Sequence, residues 1–124
     1  MPLDILCIED NASDFKLLER QLRKLTLAAH CQRVDGAEAL HAALAERAWD
    51  LVLSDYSVPG MYFTDTLKFF LRQYPGLPLV LVSGTIGEAK AQALVQLGAW
   101  GYCSKDRLFE LGEVIEAVMA RVRT

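Results

Sequence analysis

Three carboxylates stand directly behind short apolar runs: Glu9 and Asp10 close "LDILCIED", and Asp55 closes "LVLSD". Two later runs end on other polar groups, Ser83 and Thr85 in "LVLVSGT" and Tyr102 and Lys105 in "GYCSKD". A short apolar run bounded by turn residues reads as a buried strand, so all of these groups belong at strand ends. In a parallel sheet those ends share one edge, where three acids, a hydroxyl and an ammonium converge. Two unit charges about 4 Å apart repel by roughly 4 kcal/mol at an effective dielectric of 20, so three ionised acids need a cation among them. A hard divalent ion suits an all-oxygen site. Mg²⁺, with Mn²⁺ as its substitute, takes one or two carboxylates and leaves its other positions to water or phosphate oxygens. A phosphoryl group fits the open position, with Asp55 as carboxylate nucleophile, the metal as charge clamp and Lys105 as counter-ion.

The elements that must position these groups follow from periodicity. Strands are expected at Leu3–Ile8, Ala29–Val34, Leu51–Ser54, Leu79–Ser83 and Trp100–Cys103. Several are continuous apolar runs, as parallel strands covered on both faces should be. Helical stripes alternate with them. Phe15, Leu18, Leu22 and Leu25 line the first helix; Ala37, Leu40 and Leu44 line the second, with Asp35 and Glu38 expected as a capping box. Thr64 or Asp65 is expected to cap a third, carrying Leu67, Phe70, Leu71 and Tyr74 and ended by "YPGLP". A fourth runs from Gly87 to Leu97 and stops at Gly98. The fifth, capped by Asp106, is expected to bury Leu108, Leu111, Ile115, Val118 and Val122. Repeated βα units with right-handed crossovers predict an α/β fold, a doubly wound five-stranded parallel sheet of flavodoxin-like order 2-1-3-4-5. Ligands of such sheets bind at the carboxyl ends of the strands.

The 124 residues make one ordinary domain, expected to span residues 1–124, and 52% hydrophobic with 23% charged residues is a globular composition. A net charge of −3 and scattered cations leave no basic footprint, and Arg20, Arg23 and Lys24 read as a solvated helix face, so no nucleic acid is expected. No apolar run approaches the roughly 18 residues of a membrane span, and "MPLDILCIEDN" lacks the charged start of a signal peptide. Cys7, Cys31 and Cys103 lack metal spacing and read as buried thiols of a reducing cytoplasm, where the chain is expected to reside.

Taken in order, "CIEDN", "LVLSDYSVPGM", "LVLVSGT" and "GAWGYCSKD" resemble a known family: the whole chain is similar to a response-regulator receiver domain of two-component signalling, of the chemotaxis-response-regulator kind. The resemblance implies that Asp10 and Asp55 ligate Mg²⁺ directly, with the backbone carbonyl of Ser57, and that Glu9 acts through a water. It implies that Asp55 accepts a phosphoryl group from a phosphohistidine on a sensor histidine kinase or phosphotransfer protein, or from acetyl phosphate. Ser83 and Lys105 would then contact the phosphoryl group, flanked by Ser57 and Thr85. Tyr102 would turn with Ser83 and remodel the surface of helix four, strand five and helix five, for a downstream protein target or a covalently linked output domain. Such a domain assists its own phosphorylation and dephosphorylation without being an enzyme in the ordinary sense. No output domain is expected within these residues.

Some positions depart from the family pattern. Lys105 precedes Asp106, where receivers usually carry a proline behind a cis bond. A cis bond to a non-proline residue costs roughly 2.5–4 kcal/mol, so a trans peptide and a loosened Lys105 are expected. Phe63 stands where glycine is common, which predicts a rebuilt loop before the third helix, and Val58 replaces a longer apolar residue. These departures keep a second function in view, a pseudo-receiver that binds proteins unphosphorylated. A flavodoxin-type cofactor site is disfavoured, because "EDNASD" replaces the Gly/Ser/Thr-rich loop it needs. Tyr62, Phe63 and Phe69 are candidates for an aromatic docking patch. His30, His41, Trp49 and Trp100 read as structural.

Overall fold

The structure is a computed structural model and describes residues 2–25 and 27–122. Five strands, β1 (Leu3–Ile8), β2 (Ala28–Val34), β3 (Leu51–Ser54), β4 (Leu79–Ser83) and β5 (Gly101–Ser104), alternate with five helices, α1 (Ala12–Lys24), α2 (Ala37–Glu46), α3 (Phe63–Gln73), α4 (Glu88–Leu97) and α5 (Leu111–Val122). The strands pair in parallel in the order β2-β1-β3-β4-β5, the expected doubly wound sheet.

Alternation along each strand explains the continuous apolar runs. Successive side chains point to opposite faces, and helices cover both. Leu6, Ile8, Val52 and Leu81 pack with Leu40 of α2, Leu67 and Phe70 of α3 and Leu94 of α4. Ile5, Cys7, Leu53 and Val82 pack on the other face with Leu18 and Leu22 of α1 and Ile115 and Val118 of α5. A large aliphatic side chain buried in this way stabilises the fold by about 1.5–3 kcal/mol. The polar groups that follow the strands share one rim, because parallel strands bring all their carboxyl ends to the same edge.

Cys7 and Cys103 are buried and Cys31 is half-buried, all three as free thiols. Trp49 is a core residue whose Nε1 donates to the Ala43 carbonyl at 3.0 Å.

Several expected caps are corrected. Gly36, not Asp35, is the N-cap of α2, and no side chain caps that helix; with α2 starting at Ala37, Asp35 stands one position too early for a capping box with Glu38. Helix α3 starts at Phe63 behind Tyr62, so Thr64 and Asp65 lie inside its first turn. The chain reaches that start through a small hairpin, Ser57–Val58 against Met61–Tyr62, turning at Gly60 with φ 78°. Strand β5 starts and ends one residue later than expected, and Ser104, not Asp106, opens the next segment: its hydroxyl accepts from the Asp106 N–H at 3.2 Å. A 3₁₀ stretch, Lys105–Glu110, then leads into α5. At the far end Val122 is exposed rather than buried, beyond the reach of the sheet.

The aromatic patch is also corrected. Phe63 is buried in the core at 4% exposure and Phe69 packs edge-on against His41 and Phe70, leaving Tyr62 as the exposed ring. Val58 is buried within the same layer.

Candidate functional site

Strand register builds the acidic cluster. Ile8 of β1 lies opposite Ser54 of β3, and the Asp55 N–H donates to the Ile8 carbonyl at 2.9 Å, so Asp55 emerges beside Glu9 and Asp10. The loop that carries the two acids is held from both sides. Glu9 N–H donates to the Val34 carbonyl at 2.9 Å, while Arg33 Nη1 reaches the carbonyls of Glu9 and Asp10 at 3.2 and 3.5 Å. Asn11 then caps α1, accepting from the Asp14 N–H at 2.9 Å. As a result, carboxylate oxygens of Glu9, Asp10 and Asp55 all lie within 4.8 Å of one another.

Lys105 enters this cluster from the start of the 3₁₀ stretch, directly behind β5. Its Nζ lies 2.7 Å from Glu9 Oε1, 2.8 Å from Asp14 Oδ2 and 3.1 Å from Asp55 Oδ2. The contacts to Asp14 and Asp55 are aligned hydrogen bonds. The approach to Glu9 is close but misaligned, so Glu9 Oε1 is an ion-pair partner without a hydrogen bond, whereas Oε2 accepts from the Asn11 N–H at 3.2 Å. Asp55 Oδ1 accepts from the Tyr56 N–H at 2.8 Å. The electrostatics follow from this crowding. Burial pushes the Glu9 carboxyl above its usual range, the Lys105 ammonium pulls it back, and the Asp55 charge pushes it up again. Burial also works against the Lys105 ammonium, but Asp14, Glu9 and Asp55 outweigh it and hold the group protonated well above the ordinary lysine value. No cis peptide occurs among the described residues, as expected at Lys105–Asp106, yet Lys105 is not loosened: three carboxylates hold it.

The remaining candidates surround the cluster at different distances. Ser83 is fully buried, and its Oγ accepts from the Thr85 N–H and meets Thr85 Oγ1, both at 3.2 Å. This turn runs beside Lys105, since a Cβ on Gly84 would lie 3.4 Å from Lys105 Cβ. Ser57 shares an open cleft of 460 Å³ with Asp10, Tyr56 and Thr64. Tyr102 is half-buried and lines a separate groove of 680 Å³ with Glu88, Gln92, Val95, Arg107 and Glu110. Two residues of the site, Asp14 and Arg33, were not singled out in the sequence. Asp14 is visible there as a third acid in "EDNASD", but its partner lies 91 residues away.

The sequence profile described as "Response regulator receiver domain" matches residues 5–118. The chain belongs to this receiver family. The receiver is 33% identical over 119 residues to the response regulator protein FleR of Pseudomonas aeruginosa, covering 95% of this chain and 24% of that protein. It is 30% identical over 111 residues to the DNA-binding transcriptional regulator NtrC of Salmonella typhimurium, covering 90% of this chain and 23% of that protein. This receiver thus spans about a quarter of the length of these curated relatives. A signal receiver domain of an HD-domain-containing protein from Pseudomonas fluorescens shares the fold, with TM-score 0.83 at 22% identity over 99% of this chain and 98% of that one.

As a receiver, the chain belongs to a family of two-component signalling. Its Glu9, Asp10 and Asp55 form the acidic cluster typical of a Mg²⁺ site. The residues present fit that ion: the donor set is all oxygen, and the buried Glu9 Oε1 is met by the Lys105 ammonium without an aligned hydrogen bond. No helix among the described residues is long and apolar enough to cross a membrane.

Proposed function

We propose that this receiver is a phosphorylatable switch with Asp55 as its acceptor. The carrying observation is that Asp55 lies at once within the three-acid cluster and in a hydrogen bond from Lys105. Asp10, Asp55 and the Ser57 carbonyl would hold the divalent ion directly, and Glu9 through a water; Mn²⁺ would substitute for Mg²⁺. When bound, the ion neutralises charge on the phosphoryl oxygens. In the transfer, an Asp55 oxygen forms the new P–O bond as the P–N bond of a phosphohistidine breaks and the imidazole keeps the electron pair. Such transfers depend on positioning and charge neutralisation, which this site supplies.

The product carries about −1.5 to −2 charges and three acceptor oxygens. Lys105 is its counter-ion, and Ser83 its hydroxyl donor once released from Thr85. Ser57 and Thr85 flank it. The two-state element biased in this way is the surface of α4, β5 and α5, read out through Tyr102. The phosphoryl donors are a sensor histidine kinase or phosphotransfer protein, and the output is a downstream protein target or a covalently linked output domain, as befits relatives that are larger regulators. Its place of action is the cytoplasm.

Intact mass after incubation with Mg²⁺ and acetyl phosphate tests this. A phosphoryl adduct is expected with the natural chain and absent with Asp55→Asn or EDTA. No adduct with acetyl phosphate or phosphohistidine donors, together with no Mg²⁺ binding, would favour the pseudo-receiver.

A further inference from the structure

The Lys105 ammonium and a divalent ion would compete for the same carboxylates. Lys105 Nζ lies 2.7 Å from Glu9 and 3.1 Å from Asp55, two of the three acids whose oxygens converge within 4.8 Å. Two cations on one pair of carboxylates repel each other. Asp14 offers a way out. Its carboxylate stands on the first turn of α1, outside the three-acid group, and accepts the shorter of the two aligned Lys105 hydrogen bonds, 2.8 Å against 3.1 Å. The Asn11 cap takes the backbone N–H of Asp14, so it fixes where the side chain emerges without using its carboxylate. A lysine has three N–H donors, and the one aimed at Asp14 does not depend on the two acids that a metal would engage.

We infer that Asp14 is a positioning residue that acts through Lys105, retaining the ammonium at the rim of α1 so that metal and ammonium share the site. The inference rests on the metal-binding part of the function proposed above, and it assigns a role to a residue outside the acid cluster. The competing explanation is that Asp14 only adds negative charge near the metal.

A Mg²⁺ titration by calorimetry on the full chain separates the two, comparing the natural sequence, Asp14→Asn, Lys105→Met and the double substitution. Asp14→Asn is expected to weaken Mg²⁺ binding roughly fivefold, and to change it less than about twofold once Lys105 is Met. Asp14→Glu, which keeps the charge, should stay within about twofold of the natural chain. Asp14→Ser serves as a second uncharged variant should Asn disturb the fold. An equal loss in both Lys105 backgrounds would overturn the inference in favour of bare charge, and so would unchanged affinity in Asp14→Asn. Absence of Mg²⁺ binding by the natural chain would overturn the metal part of the proposed function and this inference with it. Intact binding with a flat Asp14→Asn response would overturn the inference alone.

Discussion

Glu9 meets opposed demands. It is nearly fully buried, which destabilises its ionised form, and the Lys105 ammonium 2.7 Å from Oε1 offsets this only in part; yet its charge is what a divalent ion would use. The raised pKa fixes the sign of the effect on stability. At pH below the ordinary glutamate value of 4.5, Glu9 is protonated in folded and unfolded chains alike. As pH rises through the raised folded value, the unfolded chain has already released its proton, and stability is lost. Glu9→Gln is therefore expected to raise the thermal midpoint by a few degrees at pH 7 without metal, and the gain should disappear by about pH 4. Mg²⁺ affinity should fall in the same variant, a trade of function for stability. Melting curves at the two pH values, with and without Mg²⁺, check both halves. At this scale Glu9, Asp10, Asp55 and Lys105 were legible because each follows an apolar run. Asp14 and Arg33 were not: one sits on a helix and one inside a strand pattern, and their partners are set by the folded chain.

Among the elements, α4 shows how a helix end can be read from sequence while its environment cannot. Gly98 was legible as the stop. The structure adds that its φ is 134°, outside the range of L side chains, and that a Cβ there would lie 2.7 Å from Leu71 Cδ1 on α3. Gly98→Ala is expected to cost more than about 1 kcal/mol in urea unfolding. Most of that loss should survive in a Leu71→Ala background, because removing the clash leaves the backbone strain; full recovery would instead assign the cost to the clash. The caps of α2, α3 and the last segment were misread for a common reason. Asp35, Thr64, Asp65 and Asp106 are all competent capping types, but a cap depends on where the chain enters the helix. Here a glycine, a hairpin and the one-residue shift of β5 each moved that entry.

At the level of the whole molecule, α1, the ends of β1 and β3 and the start of the 3₁₀ stretch meet only in the folded state, so a ligand of their carboxylates must stabilise the fold. Mg²⁺ at a hundredfold excess over its dissociation constant should add about 2.7 kcal/mol to the unfolding free energy, and Asp10→Asn should remove most of that gain. Thermal unfolding against Mg²⁺ concentration reads this directly, and an equal shift in Asp10→Asn would place the ion elsewhere. The groove lined by Tyr102, Glu88 and Arg107 lies apart from the acid cluster. It is the surface through which the proposed switch would report.

The sequence by itself determined the fold class, the order of the strands and the convergence of the acids with Lys105. Apolar runs and helical stripes are local patterns, and parallel βα units bring every strand end to the same edge. Tertiary structure alone decided which oxygens lie within 4.8 Å, that Lys105 is shared by three carboxylates, that Ser83 is held by Thr85, and that Phe63 belongs to the core. Those are distances between residues remote in the chain or turns set by their surroundings, and no periodicity encodes them.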